Sequence, residues 1–157
     1  MPRHAPLVTD RALDRILGAI AAAPDRPPLL ALGWATVDLD RAAAELAAEL
    51  GLAAAAFQPV ADSILLGARC RVAHGVLPRG TALAILEPRT EGVMAAALAR
   101  HGEGPSVTWA RSSSDGSARP SASLRPGPFG PERFEPGAPR QGPFLLLVET
   151  GPGTIHT

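Results

Sequence analysis

A chain of 157 residues, 46% of them hydrophobic, is long enough for one domain with its own core. Its 15 basic residues, all arginines, balance 15 acidic ones, so no net charge favours nucleic acid or an anionic membrane, and a lysine Schiff base is excluded. The single cysteine, Cys70, excludes an intramolecular disulfide and a multi-cysteine zinc site.

The N-terminal half alternates between helical and extended patterns. Leu13, Ile16, Leu17 and Ile20 share one helical face, so they predict a helix before the first strand. Asp38 is placed to cap the next helix. The predicted elements are a helix over 11–22, a strand over 29–37, a helix over 39–50, a short strand over 53–57, extended segments over 63–66 and 69–77, a strand over 81–86 and a helix over 91–100.

The C-terminal half repeats the opening strand. Ser106-Val-Thr-Trp-Ala110 is similar to Ala31-Leu-Gly-Trp-Ala35, which indicates two copies of one module. The second copy has Ser, Pro and Gly over 112–128 where the first has a helix, so a loop is predicted there. We expect the helix over 11–22 to cover the sheet face left bare.

The predicted organisation is one domain over 1–157. Its parts are an N-terminal helix in 1–28, a first βαβββ module in 29–88, a linker helix in 89–105, a degenerate second module in 106–149 and a tail in 150–157. In the second module, Phe129 and Phe134 are predicted anchors and the final strand spans 144–149. The composition is typical of a GC-rich bacterial genome. No apolar run reaches the ~20 residues that span a membrane and no leader-like segment is present, which predicts a cytoplasmic protein.

Residues 29–42 and 83–110 resemble the vicinal oxygen chelate superfamily, which includes glyoxalase I, methylmalonyl-CoA epimerase, extradiol dioxygenases and bleomycin-resistance proteins. The resemblance rests on Ala31-Leu-Gly-Trp-Ala-Thr-Val-Asp-Leu-Asp-Arg-Ala42, on Ala84-Ile-Leu-Glu-Pro88 and on the Gly102-Glu-Gly104 turn after a helix. The pattern is most similar to the epimerase-like or glyoxalase-like branch. It implies an α+β fold in which paired βαβββ modules form a curved mixed sheet with a cleft, and homodimers are common in this family.

The family's metal ligands are absent from this sequence. By the resemblance, the four ligand positions fall on Ala31, Ala84, Ser106 and Leu146, with Val107 as an alternative to Ser106 if the Gly-Glu-Gly turn is aligned. These side chains lack the imidazole or carboxylate donors that such a metal needs. The resemblance therefore implies the fold and argues against the metal, and no cofactor is expected.

Strand alternation predicts which residues face the cleft. The residues predicted to face the helices are Leu32, Trp34, Leu83, Ile85, Val107 and Trp109. The residues predicted to line the cleft are Ala31, Gly33, Ala35, Ala82, Ala84, Leu86, Ser106, Thr108, Ala110, Phe144, Leu146 and Val148. Small apolar residues with two hydroxyl groups are typical of a small-molecule pocket, although the same residues are compatible with a filled core.

Two alternatives stay open on the strand over 69–77. If one face lines the cleft, Arg69 and Arg71 are candidates to bind a carboxylate or phosphate. If the other face does, His74 enters the cleft as a candidate general base, while Cys70 is expected in the core.

The sequence thus predicts a metal-independent protein that binds a small, largely apolar organic ligand. The binding would serve either to sequester the ligand or to catalyse its isomerisation or cyclisation without a metal, so whether the protein is an enzyme stays open. Its expected partners include no nucleic acid and no membrane, and a homodimer is expected. The candidate catalytic residues are His74, Arg71 and Ser106, and the candidate ligand-binding residues are Arg69, Thr108, Trp109, Phe144, Leu146, Ala31 and Ala84. The alternatives are a metal-dependent epimerase or lyase of the family type and a non-catalytic dimerising or partner-binding protein.

Overall fold

A seven-stranded mixed sheet organises the computed structural model, which describes residues 9–23, 27–112, 124–136 and 142–149. The strand order is β2-β3-β4-β1-β5-β7-β6. The elements are α1 (Thr9–Ala22), β1 (Leu29–Ala35), α2 (Leu39–Glu49), β2 (Gln58–Ser63), β3 (Ala68–Ala73), β4 (Ala82–Pro88), α3 (Val93–His101), β5 (Gly104–Arg111), β6 (Glu132–Phe134) and β7 (Phe144–Val148). No helix within the described residues is long and apolar enough to cross a membrane.

The sheet consists of two similar halves. In the first half β1 pairs in parallel with β4, which pairs antiparallel with β3. In the second half β5 pairs in parallel with β7, which pairs antiparallel with β6. The halves meet along the antiparallel β1–β5 ladder. The predicted α+β class, with paired modules around a curved mixed sheet, is confirmed.

The strand register corrects the predicted alignment of the two copies. Ala31 pairs with Ala82, and the corresponding pair in the second half is Val107 with Phe144. Val107, the alternative that alignment on the Gly-Glu-Gly turn gave, is therefore the equivalent of Ala31, and Ser106 is not. Because side chains alternate along a strand, a one-residue shift moves every β5 side chain to the other face.

The two faces of the sheet carry separate cores. On the helix-covered face, the residues that pack together include Ile16, Leu32, Trp34, Leu39, Leu46, Leu83 and Ile85. On the concave face, they include Ala31, Cys70, Ala84, Leu86, Val107, Trp109, Phe144 and Leu146. The predicted facing of β1 and β4 is confirmed. The prediction that Ser106 and Thr108 face the cleft while Val107 and Trp109 face the helices is wrong, because β5 is shifted by one residue from its predicted alignment with β1.

Both α1 and α2 lie on the helix-covered face. Ile16 of α1 is fully buried against this core, and α1 packs on β1, β5 and α2, in agreement with the predicted covering role of this helix. The side chain of Asp38 accepts a hydrogen bond from the backbone N–H of Arg41 at 3.0 Å, so the predicted cap of α2 is present.

Two local predictions are wrong, and a third differs in its start. The predicted strand over 53–57 is a 3₁₀ turn over Ala54–Ala56, since consecutive alanines lack the β-branched and aromatic side chains that strands prefer. The predicted extended segment over 63–66 is the turn between β2 and β3, closed by a hydrogen bond from the N–H of Gly67 to Ser63 O at 2.9 Å. The helix predicted over 91–100 is confirmed, but its start differs, because it begins at Val93 after Gly92.

Residues 113–123 of the predicted loop over 112–128 lie outside the described residues. The predicted tail over 150–157 also lies outside them.

Candidate functional site

By the resemblance seen in the sequence, four ligand positions fall on the concave face. With the corrected register they are Ala31, Ala84, Val107 and Leu146, each no more than 1% exposed. They form one apolar surface, and none of these side chains has a donor atom for a metal. Within the described residues, no three His, Cys, Asp or Glu side chains come together as a metal site.

A buried carboxylate, Glu132 of β6, lies on this face and is 0% exposed. The hydroxyl of Ser63 donates to its Oε1 at 2.6 Å, and the indole N–H of Trp109 donates to its Oε2 at 2.9 Å. Gly127 lies directly against the carboxylate: a Cβ at this glycine would lie 2.1 Å from Oε2. The Glu132 carboxylate thus joins β6 to β2 and β5.

Burial controls the ionisation of this cluster. Burial raises the pKa of Glu132, and the hydrogen bonds from Ser63 and Trp109 offset only part of the rise. Burial also raises the pKa of the neighbouring Cys70 thiol to about 12, with the Glu132 charge contributing in the same direction. Cys70 is 3% exposed and is a neutral core residue at neutral pH, as its apolar surroundings in the sequence predicted.

Aromatic side chains lie over the concave face. The ring of Phe129 meets the ring of Trp109 edge-on at 5.1 Å between centroids, and it meets the His74 ring at 6.3 Å. Phe134 packs against Phe144 at 6.2 Å. Residues 124–131 therefore lie across this face and lead into the edge strand β6, and Phe129 and Phe134 act as the predicted anchors.

A pocket of about 240 Å³ lies on the opposite side of the sheet, between the C-terminal end of α1 and the strands β5 and β7. Its walls are mostly apolar, and Ser106 and Thr108 contribute the hydroxyl groups. The Ser106 hydroxyl donates to Gly104 O at 3.0 Å. The lining residues include Ala19, Ala22, Leu32, Ser106, Thr108 and Phe144.

A second, charged pocket of about 510 Å³ lies between α1 and α2, and Glu103 is on its wall. Glu103 Oε1 accepts hydrogen bonds from the Thr36 hydroxyl at 2.6 Å, the Val37 N–H at 3.0 Å and the Arg41 guanidinium at 2.5 Å. Burial works to raise the pKa of Glu103, but these three donors outweigh it and hold the pKa below its ordinary value. Arg15 of α1 donates to Glu103 O at 3.0 Å, so the Gly-Glu-Gly turn connects both helices to β5.

Strand β3 resolves the alternatives left open on 69–77. Cys70 and Val72 face the concave core, and His74, one pleat further, is exposed at its rim against Phe129. Arg69 and Arg71 lie on the other face, where each is paired with an acid: Arg69 with Glu87 at 2.6 Å, and Arg71 with Asp40. The arginine pair is therefore not directed into the concave face.

The strand-end carboxylates Glu87 and Glu149 have structural partners. Glu87 Oε2 accepts a hydrogen bond from the N–H of Leu39 at 2.9 Å, which adds a second acceptor at the N-terminus of α2. Glu149 lies 3.6 Å from the guanidinium of Arg133. These contacts are those of strand-end surface charges.

The predicted site residues thus separate into three places. Ser106 and Thr108 line the pocket under α1, and Phe144, which also belongs to the concave core, borders this pocket. The residues that lie in the concave core are Ala31, Ala84, Trp109, Phe144 and Leu146. Arg69, Arg71 and His74 lie around β3, and the proposed catalytic set of His74, Arg71 and Ser106 is not brought together.

Sequence reasoning missed Glu132. Its strand has only three residues and lies in a stretch punctuated by Pro and Gly, where alternation is too short to detect. One signal was available: Glu132 is two residues before Phe134, so both side chains belong on the same face of a strand. An anchor at Phe134 therefore implied a buried partner at 132.

Neither a protein-family model nor a curated protein sequence matches this chain, but solved structures do. Methylmalonyl-CoA epimerase from Mycobacterium tuberculosis is 22% identical, with a TM-score of 0.60, over 85% of this chain and 96% of that one. A variant of the Streptomyces coelicolor methylmalonyl-CoA epimerase, in complex with 2-nitronate-propionyl-CoA, is 22% identical with a TM-score of 0.57, over 78% and 96% of the two chains.

A hypothetical protein from Bacillus halodurans C-125 also matches. It is 16% identical, with a TM-score of 0.58, and the match covers 82% of this chain and 97% of that one. At these identities the comparisons show the fold alone, which this chain shares with the methylmalonyl-CoA epimerases.

Proposed function

We propose that this chain, which has the vicinal oxygen chelate fold, binds a small and largely apolar organic molecule without a metal ion, in the pocket between α1 and β5. The observation that supports this function is the pocket itself. It has apolar walls with two hydroxyl groups, which is the usual composition of a small-molecule site. Some structural neighbours are bound to coenzyme A derivatives, which agrees with an organic ligand.

The hydroxyl groups indicate the chemistry of the ligand. The Ser106 hydroxyl donates a hydrogen bond to Gly104 O, so the hydroxyl oxygen of Ser106 remains available as an acceptor. The Thr108 hydroxyl makes no hydrogen bond to the described residues, so it offers both a donor and an acceptor. A flat apolar ring that carries one N–H or O–H group fits this arrangement.

The size of the pocket sets the size of the ligand. About 240 Å³ exceeds the ~150 Å³ apolar cavity that holds benzene in an engineered protein, so about ten non-hydrogen atoms fit. At roughly 0.5 kcal/mol per atom, such a ligand binds with a Kd of about 0.2 mM.

Binding is favoured over catalysis because the candidate catalytic side chains are dispersed. Arg71 is paired with Asp40, His74 lies at the rim of the concave face, and Ser106 lines a pocket on the opposite face. General acid–base chemistry requires the base within hydrogen-bond reach of the substrate proton. No side chain on the wall of this pocket, among the described residues, is a carboxylate or an imidazole.

The metal-dependent alternative does not fit the donor set. The positions equivalent to the family's ligands carry Ala31, Ala84, Val107 and Leu146, and the carboxylate on the same face, Glu132, is held by Ser63 and Trp109. Metal analysis of the purified protein is expected to find less than one divalent ion per chain. One firmly bound ion per chain would contradict the proposal.

Calorimetric titration with indole tests the pocket directly. Wild-type protein is expected to bind indole in buffer containing EDTA, with a Kd in the submillimolar range. Ala19→Phe, which fills the pocket from α1, should abolish binding, and Thr108→Val should weaken it several-fold. Thr90→Val removes an exposed hydroxyl elsewhere and should leave binding unchanged. Equal binding by Ala19→Phe and wild type would exclude this pocket.

A further inference from the structure

The segment 124–136, which we call the strap, crosses the concave face and then forms β6 at the edge of the sheet, and its deepest side chain is a carboxylate. Glu132 is 0% exposed, whereas the two aromatic residues of the strap, Phe129 and Phe134, are only partly buried. A segment that merely fills a core would place an apolar side chain at its most buried position. The strap is therefore attached at its centre by a group whose charge can change.

The strap has few backbone attachments. Glu132 and Arg125 exchange two hydrogen bonds at 2.8 and 2.9 Å, which close the strap on itself. Besides the three-residue ladder between β6 and β7, its hydrogen bonds to the rest of the chain include Ile64 N–H to Pro126 O at 3.3 Å, Glu149 N–H to Pro131 O at 3.0 Å and Glu135 N–H to Leu145 O at 3.0 Å. A segment with so few attachments is a candidate for local opening.

The surroundings of Glu132 offer donors but no opposite charge among the described residues. Ser63 approaches from β2 and Trp109 from β5, and both donate to the carboxylate. Among the described residues, the titratable group that faces the Glu132 carboxylate is Cys70 of β3, whose thiol stays protonated. Charged groups on the flanking strands are engaged elsewhere, since Asp62 pairs with Arg89 and Arg133 with Glu149.

We propose that the strap covers the concave face while Glu132 is protonated and is released from it as Glu132 ionises. A protonated carboxyl is neutral and keeps its hydrogen bonds, whereas an ionised one is a buried charge without a counterion. Release transfers the charge to water and uncovers the apolar face around Trp109. This device is independent of the pocket under α1, which lies on the other side of the sheet.

The sign of the pH dependence follows from the geometry. Burial raises the pKa of Glu132 in the closed state, and the open state has the ordinary value near 4.5. The closed state is therefore favoured most below that value. The equilibrium constant for opening increases by up to tenfold per pH unit between the pKa of Glu132 in the open state and its pKa in the closed state. Above the closed-state pKa it becomes constant.

The thiol of Cys70 reports opening, because it is the only cysteine and lies beside Glu132 on the covered face. The experiment measures its reaction with 4,4′-dithiodipyridine between pH 4 and pH 8 and divides each rate by that of the urea-unfolded chain at the same pH. The normalised rate of wild type should rise with pH and then level off. Glu132→Gln should give a flat profile, and Glu91→Gln, at an exposed position, should keep the wild-type profile.

Two more variants keep the test decisive if Glu132→Gln folds poorly. Ser63→Ala removes a donor to the ionised carboxylate, so the total rise should become larger. Phe129→Ala loosens the strap without touching the carboxyl, so labelling should be faster at every pH with the same shape of profile. A flat wild-type profile, or an equal rise in Glu132→Gln, would overturn the proposal. So would a strong acceleration by low urea, because it would assign the exposure to global unfolding.

Discussion

Gly33 of β1 should not accept even a methyl group. A Cβ at this position would lie 2.7 Å from Leu86 Cδ1 and 2.7 Å from Trp109 Cζ3. Both neighbours are 0% exposed, so neither can move away without disturbing the concave core. Overpacking of this kind costs about 1–3 kcal/mol. Because alanine is favoured over glycine in a strand by roughly 0.5–1 kcal/mol, the net loss for Gly33→Ala should be about 1–2 kcal/mol.

Urea unfolding of Gly33→Ala, followed by circular dichroism, measures this loss. Gly18→Ala in α1 is the matched control, since a Cβ there meets nothing within 4 Å and the position is exposed and helical. The control should gain about 0.5–1 kcal/mol. The prediction depends on the indole of Trp109 lying over Gly33. If Gly33→Ala were as stable as wild type or more stable, Trp109 would face the helices, as the sequence alone suggested, and the observed register of β5 would be refuted.

Three further predictions concern stability. Ile16→Ala in α1 should lower the free energy of unfolding in urea by about 2–4 kcal/mol, since Ile16 is 0% exposed. Leu17→Ala, at a position that is 39% exposed, should lower it much less, and equal losses would mean that α1 does not cover the sheet. The pKa of Glu103 is lowered in the fold, so its contribution is present above the ordinary value near 4.5 and lost as pH falls below it. Unfolding from pH 7 to pH 3 should therefore show wild type converging on Glu103→Gln, and a constant difference would contradict this. Glu132→Leu leaves the indole N–H of Trp109 unpaired and should lose about 1–3 kcal/mol at pH 4, where a loss near zero would mean that the hydrogen bond is not made.

Much of the first module was predictable because local signals and tertiary structure agree there. Alternation along β1 and β4 predicts that Leu32 and Leu83 face the helices, and both belong to the helix-covered core. Asp38 occupies the capping position that its sequence context predicts. These inferences need only the period of a strand and the chemistry of a helix start.

The facing of β5 was not predictable from the repeat alone. The similarity of the two strands suggested that Trp34 and Trp109 are equivalent, but Trp34 packs on the helix side and Trp109 on the concave side. The β1–β5 ladder contains register shifts, one of them between Gly33 and Trp34. Irregularities of this kind depend on how two strands meet and leave no mark in the composition of either strand.

The candidate site was predicted in character and misplaced in space. The expectation of a small apolar pocket with Ser106 and Thr108 as hydroxyl groups matches the pocket under α1. The expectation that these residues lie in the cleft followed from the family's geometry and is wrong. The pocket depends on the helix α1 packing over β5, a tertiary contact that no local pattern encodes.

The most direct test of the small-molecule proposal is a map of where indole binds. Backbone amide chemical shifts of the ¹⁵N-labelled protein, titrated with indole in the presence of EDTA, locate the ligand without a metal. If indole occupies the pocket, saturable shifts should cluster at the C-terminal end of α1 and at residues 105–108 and 143–145. Shifts confined to the concave face around Trp109 and Glu132, or no shifts at millimolar indole, would contradict the proposal.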